Sequence, residues 1–151
     1  MRCRPSLGRA TNMKALASIA ILAALLTASP PSSGEDTPEV QAQAAAWTWL
    51  ALVDAGGYQQ SWVAAADHFQ NSIEEWQWVS TVSKVRRPLR AVKSRTVSSV
   101  IFVPSSPGAP GGEHFVIQFA TNFRKKPAAT ETVTVMKNLD GRWRVSGYYI
   151  R

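Results

Sequence analysis

The sequence predicts an α+β domain in which three N-terminal helices pack on a four-stranded antiparallel meander sheet. Two observations carry this prediction. Apolar residues recur at helical spacing in the first half of the domain, and after Lys93 they recur at every second position. Loops rich in glycine and proline and an Asp-Gly turn separate the later apolar runs, so we expect the strands to pair in sequence order.

A targeting sequence precedes this domain. Residues 1–14 contain four basic residues and no acid, and an apolar run of 14 residues follows from Ala15 to Ala28. A run of this length is typical of a secretory signal and is short of the ~20 residues that span a bilayer. We therefore expect residues 1–34 to be a signal peptide and residues 35–151 to be one domain, periplasmic or secreted. Translation from Met13 would give a more compact signal, and the residues leave both starts open.

The composition of the domain excludes several kinds of site. Cys3 is the one cysteine of the chain and lies in the leader, which excludes disulfides and thiolate metal sites from the domain. Four of the 17 basic residues also lie in the leader, so the domain carries a formal charge of only +3. His68 and His114 have no further ligands at metal spacing. We predict no metal, no cofactor and no nucleic-acid partner.

The helices follow from apolar spacing and end signals. Residues 40–54 predict the first helix, which Gly56-Gly57 ends. Its broad buried face has Val40, Ala44, Trp47 and Ala51 on one stripe and Ala46, Leu50 and Val53 beside it. Residues 58–70 predict the second. Ser72 and Glu75 fit a capping box that begins the third helix, which we expect to end near residue 86 because Pro88 follows.

Four strands follow, over residues 95–103, 114–123, 131–137 and 142–150. In the first strand, alternation places Val97, Ile101 and Val103 on one face. Residues 104–113 form a loop, and Asp140-Gly141 predicts a tight hairpin. The apolar face that the helices must cover is led by seven side chains: Phe115, Ile117, Phe119, Val133, Val135, Trp143 and Val145.

Four segments together resemble a bacterial exported family, the domain of unknown function 4019: AAAWTWLALVDAGGYQQSW, WVSTVSKVRRPL, PGAPGGEHFVIQF and ETVTVMKNLDGRWRVSGYYIR. The resemblance extends from about Ala44 to Arg151. It implies no catalytic residue, because the activity of the family is unassigned. Members often have Pro-Leu-Gly where this chain has Pro88-Leu89-Arg90, so the residues do not support a glycine-dependent turn there.

Helices followed by a curved antiparallel sheet are also similar to the nuclear transport factor 2-like superfold. The cone-shaped sheet of that superfold often encloses a pocket. This resemblance concerns the fold and implies no function.

A cluster of cations suggests one candidate site. Six basic residues and no acid fall within residues 84–95, and Arg86, Arg87 and Arg90 are its centre. One interpretation is an anion-binding ridge for phospholipid head groups, an acidic polymer or an acidic partner. The other is structural, because cations near a helix C-terminus stabilise its dipole by about 0.3–1 kcal/mol each and can simply face water.

Aromatic residues suggest a second candidate site. The chain has six tryptophans, and we name Trp62, Trp76 and Tyr149 as candidates for an apolar or sugar-like ligand. The alternative is that the tryptophans fill the core, since each aromatic side chain buries about 150–250 Å².

Two functions from different classes remain open. We favour an exported, non-catalytic module that binds a small ligand or an envelope partner, with an anionic membrane surface among the partners. The alternative is a small pocket enzyme, isomerase- or hydrolase-like, that uses an acid and a tyrosine. Tyr148 or Tyr149 would supply the hydroxyl. Four residues are the candidate acids: Asp54, Asp67, Glu74 and Glu75. The sequence does not predict an oligomeric state.

Overall fold

Four helices precede a four-stranded antiparallel sheet whose strand order is β1-β2-β3-β4. The computed structural model describes residues 37–105 and 112–151, and the predicted signal peptide lies outside these residues. The predicted α+β class and the meander order are confirmed. The elements are α1 (Pro38–Asp54), α2 (Tyr58–Val63), α3 (Asp67–Ser72), α4 (Glu75–Leu89), β1 (Val92–Val103), β2 (His114–Phe123), β3 (Ala129–Lys137) and β4 (Trp143–Ile150).

The second predicted helix is wrong as a single element, because the chain forms two short helices there. Between α2 and α3 lies an alanine segment in which Ala65 and Ala66 are buried. The amide of Ala66 donates to the carbonyl of Val145 in β4 at 2.8 Å. A backbone donor that bonds the sheet cannot bond the preceding turn, so the helix stops and starts again.

The ends of α4 also differ from the prediction. Its capping box is formed by Glu74 and Gln77, and the Ser72 hydroxyl donates instead to the carbonyl of His68 at 2.6 Å. Pro88 lies within the last turn, where it removes one backbone hydrogen bond, and the helix continues to Leu89. The basic residues of the predicted ridge therefore lie partly on the helix and partly beyond it.

Strand β2 has the predicted bounds, whereas β1 begins three residues earlier and contains two register shifts. The shift between Val97 and Ser99 moves the following side chains to the opposite face. Val97 and Val100 consequently both pack against the core, and Ile101 is 54% exposed. The predicted shared face of Val97 and Ile101 is wrong for this reason.

The helices cover one face of the sheet, and α1 contacts all four strands. The predicted apolar face is confirmed, since all seven of its side chains are buried. On α1 the predicted burial of Ala46, Leu50 and Val53 is confirmed, but the predicted face is too broad, because all four residues of the neighbouring stripe are exposed: Val40, Ala44, Trp47 and Ala51. The residues that α1 buries are Ala42, Ala46, Trp49, Leu50 and Val53.

We expect Phe119→Ala to lower the free energy of unfolding by about 3–5 kcal/mol, because its ring is fully buried under α1 and leaves a cavity. Ile101→Ala is the matched control and should change stability by less than ~1 kcal/mol, since Ile101 is exposed. Urea unfolding followed by circular dichroism measures both. Equal losses in the two variants would contradict the assignment of the core face.

Candidate functional site

An ion cluster of four residues joins α1, α4, β1 and β3: Asp54, Arg86, Arg95 and Glu131. The side chains of Arg86, Arg95 and Glu131 are at most 5% exposed, whereas that of Asp54 is 28% exposed. Arg86 Nη2 lies 2.5 Å from Asp54 Oδ1, and Arg95 Nη1 lies 2.6 Å from Asp54 Oδ2. Arg95 Nε donates to Glu131 Oε2 at 2.6 Å. Two carboxylates and two guanidinium groups therefore neutralise each other where the end of α4 meets the sheet.

Glu131 is the most deeply buried member, with no exposed surface. Its Oε2 also accepts from the Thr121 hydroxyl at 2.6 Å, and its Oε1 accepts from the Tyr148 hydroxyl at 2.5 Å. Burial, together with the negative charge of Glu131, raises the pKa of Tyr148 above its ordinary range. Burial lowers the pKa of Arg95, but its hydrogen bonds to Asp54 and Glu131 outweigh burial and raise the pKa overall.

The four acids named for the enzymatic alternative do not form the contact between an acid and a tyrosine that such an enzyme requires. Asp67 and Glu74 are exposed, and Glu75 accepts from the Gln59 amide at 2.8 Å. Asp54 is held by two arginines. Within the described residues, no hydrogen bond joins any of these four acids to a tyrosine.

The acid that does bond a tyrosine is Glu131, which the sequence analysis missed. The sequence does contain an indication that Glu131 is buried. Side chains alternate along a strand, so Glu131 lies on the same face of β3 as the core residues Val133 and Val135. Both of its oxygens are already bonded and neither reaches solvent. Glu131 therefore interacts with Tyr148 and Arg95 within the fold.

The predicted ridge needs one correction. Arg86 is only 5% exposed, and its guanidinium lies 4.5 Å from the centre of the Phe123 ring. It faces the sheet and pairs with Asp54, so it does not present its charge to solvent. Arg87 and Arg90 are exposed, as the ridge requires.

A cationic pocket lies at the end of the sheet, next to the exposed part of the ridge. Its lining residues are Arg90, Lys93, Arg124 and Lys125, and its volume is about 490 Å³. No acid lines it. None of the four cations makes an ion pair with any residue in the described ranges.

Backbone pairing brings these cations together. The amide of Lys125 donates to Leu89 at 3.1 Å, and the amide of Arg124 donates to Ala91 at 2.9 Å. The chain leaving β2 therefore runs beside the junction of α4 and β1. Sequence analysis did not identify Arg124 and Lys125. The sequence shows a run of three cations at residues 124–126, but only the pairing of β1 with β2 brings this run close to Arg90.

Arg90 has a backbone conformation that glycine usually occupies. Its φ is 65° and its ψ is −162°. The sequence did not support a glycine-type turn here, yet the structure forms one with arginine in place. Such a conformation costs a non-glycine residue about 1–3 kcal/mol, which exceeds the ~0.4–1 kcal/mol by which glycine destabilises through the unfolded chain. Arg90 therefore lowers the stability of the fold.

The candidate aromatic residues do not form one site. Tyr149 lines a cavity of about 210 Å³ between α4 and β4, together with Trp78 and Tyr148. Trp62 and Trp76 do not line this cavity. Trp62 Nε1 donates to the carbonyl of Ile73 at 2.9 Å, and Trp76 is 69% exposed.

No group of three or more histidines, cysteines, aspartates and glutamates in ranges 37–105 and 112–151 could hold a metal ion. No helix within these ranges combines the length and the apolar character needed to cross a lipid bilayer.

We expect Tyr148→Phe to lower the free energy of unfolding by about 1.5–3 kcal/mol at neutral pH, because it removes a hydrogen bond to a buried charge. In the folded protein Tyr148 keeps its proton above pH ~10, whereas a tyrosine in the unfolded chain loses its proton near this pH. The stability due to this proton is present below pH ~10 and is lost as the pH rises further. The variant should therefore lose less stability than the wild type between neutral and strongly alkaline pH.

Denaturant unfolding at several pH values tests this expectation. Tyr149→Phe is the control, because Tyr149 is exposed and its ring contact with Arg151 survives the change. Parallel alkaline losses in the wild type and Tyr148→Phe would contradict the role given to the hydroxyl.

Comparisons with known proteins place the chain in a family. The family model described as "Protein of unknown function (DUF4019)" matches residues 45–148. Curated proteins give no match. A solved structure from Catenulispora acidiphila is similar over 74% of this chain and 88% of that chain, with 8% identity and a TM-score of 0.43, which is too low to carry an argument. Because the family model covers more than half of its length, the chain belongs to the DUF4019 family of proteins of unknown function.

Proposed function

We propose that this protein is an exported, non-catalytic module that binds an anionic ligand or envelope partner in its cationic pocket. The observation that carries the proposal is the pocket itself, where four cationic side chains from three segments surround one opening. Like charges that face each other without a counter-ion repel, so an anion bound between them would relieve the repulsion.

The position of the cations favours binding over a purely structural role. A cation that only stabilises a helix dipole belongs in the last turn of the helix. Lys93 lies on β1 and Arg124 and Lys125 follow β2, so helix α4 accounts for none of these three charges. Arg86, by contrast, has a structural partner in Asp54.

The leader supports the exported part of the proposal. Its basic start, its apolar run and the small residues that follow are the three parts of a secretory signal. An exported domain meets the phosphate groups and acidic polymers of the cell envelope, which is the chemistry that the pocket complements.

We expect the double variant Lys93→Gln/Lys125→Gln to bind inorganic polyphosphate about 30-fold more weakly than the wild type, at ~1 kcal/mol for each lost cation. The matched control is Lys137→Gln/Arg142→Gln, which removes two exposed cations near the β3–β4 hairpin, at the other end of the sheet. Titration at low and high salt measures both. Equal weakening in the two variants would reject the pocket as the binding site.

We expect the chain, produced in a bacterium with a C-terminal tag, to be cleaved near Glu35 and recovered outside the cytoplasm. Leu25→Arg/Leu26→Arg should abolish both results, because charges in the apolar run prevent its insertion. Mass spectrometry of the mature N-terminus measures the cleavage. An uncut chain that stays in the cytoplasmic fraction would overturn the export.

A further inference from the structure

We infer that the anionic partner of the cationic pocket is the phosphate-bearing surface of a lipid bilayer, and that Arg90 is held in a strained backbone conformation to reach it. This inference rests on the proposed function and names its partner. Four observations carry it: the composition of the pocket, the distribution of charge around it, a second opening beside it, and the conformation of Arg90.

The composition of the pocket fits lipid head groups better than an acidic protein. Protein interfaces depend on a desolvated core with aromatic or apolar anchors, and lysine is depleted there. The pocket is lined by two lysines and two arginines and by no aromatic residue. Attraction to an anionic membrane surface needs no apolar anchor, because each exposed lysine or arginine contributes separately to binding.

Charge is distributed so that one end of the domain can face an anionic plane. Exposed Arg87 lies in the last turn of α4, and Lys126 follows Lys125 in the chain, so this end of the domain carries further charges of the same sign. The acids Glu74 and Glu75 lie at the opposite end of α4, where the helix begins. An orientation that brings the pocket to the membrane therefore keeps these two carboxylates away from it.

A second opening continues the pocket along the sheet. It has a volume of about 370 Å³ and shares Lys93 and Arg124 with the cationic pocket. Its other lining residues include Ser94 and Asn122, which carry a hydroxyl and an amide. Neighbouring openings with shared cations suit an array of phosphates better than one isolated anion.

Arg90 is the observation that points beyond the chain itself. Its φ of 65° strains any side-chain-bearing residue, and glycine would adopt the same turn without strain. Its guanidinium makes no ion pair and no hydrogen bond with a residue in the described ranges. Backbone hydrogen bonds at Leu89 and Ala91 hold the turn itself, and glycine would serve there equally well. No contact of the guanidinium within the described residues accounts for an arginine at this position, whereas a phosphate in the pocket would be a partner of the right charge for it.

Co-sedimentation with vesicles tests the inference. We expect the wild-type domain to bind vesicles of phosphatidylcholine containing phosphatidylglycerol, to bind phosphatidylcholine vesicles at least tenfold more weakly, and to be released by salt. Arg90→Gly should bind the anionic vesicles about fivefold more weakly and melt about 2–6 °C higher. A loss of affinity together with a rise in melting temperature is expected when a residue contributes to binding at the expense of stability.

Two further variants separate strain from charge. Arg90→Ala should lose the same affinity without the gain in melting temperature, because alanine keeps the strain of positive φ. Arg142→Ala removes one exposed cation near the β3–β4 hairpin and should leave vesicle binding within twofold. Wild-type affinity in Arg90→Gly, or equal losses in Arg90→Ala and Arg142→Ala, would overturn the inference.

Two other polyanions distinguish failure of this inference from failure of the proposed function. Binding to inorganic polyphosphate or to polyglutamate, without binding to anionic vesicles, would overturn the membrane as partner and leave the pocket as an anion site. Absence of binding to all three probes would overturn both. Stronger binding to anionic vesicles than to polyglutamate supports the inference.

Discussion

The ion cluster is the interaction on which the end of the domain that carries the cationic pocket depends. Burying a charge costs several kcal/mol unless a partner offsets it, and here the buried Arg86, Arg95 and Glu131 each meet an opposite charge within 2.6 Å. Their side chains come from α4, β1 and β3, and Asp54 adds α1. Losing Asp54 would leave Arg86 buried without a carboxylate partner, so the cluster fixes how the end of α4 sits on the sheet.

The fixed helix end gives neighbouring arginines different roles. Arg86 turns towards Asp54 and becomes structural, while Arg87, one residue on, faces solvent. Three residues further, the chain leaves α4 through the strained turn at Arg90 and meets the segment that follows β2. The cationic pocket is therefore a product of the same junction that the ion cluster holds in place. Structural and exposed cations lie side by side, and what separates them is the presence of a carboxylate partner.

The same cluster explains why the contact between Glu131 and Tyr148 does not provide an accessible general base. A general base must reach a proton on the substrate, which requires a lone pair that faces the site. Glu131 has no exposed surface, and hydrogen bonds from Tyr148, Thr121 and Arg95 occupy both of its oxygens. The cavity of about 210 Å³ beside Tyr148 is bounded by α4 and β4, and Glu131 does not line it. The pair stabilises the fold, whereas the cations that line the pocket have no carboxylate partner among the described residues.

Sequence alone determined the α+β class, the strand order and the inward face of β2, because period-two alternation and tight turns are local properties. It also placed Arg87 and Arg90 on a cationic surface. Tertiary structure decided the rest: the break before α3 comes from a hydrogen bond to Val145, and the face of Ile101 comes from a bulge. It likewise decided that Arg86 is buried and that Arg124 joins Arg90, because charge pairing and strand register join residues far apart in the chain, which no local pattern encodes.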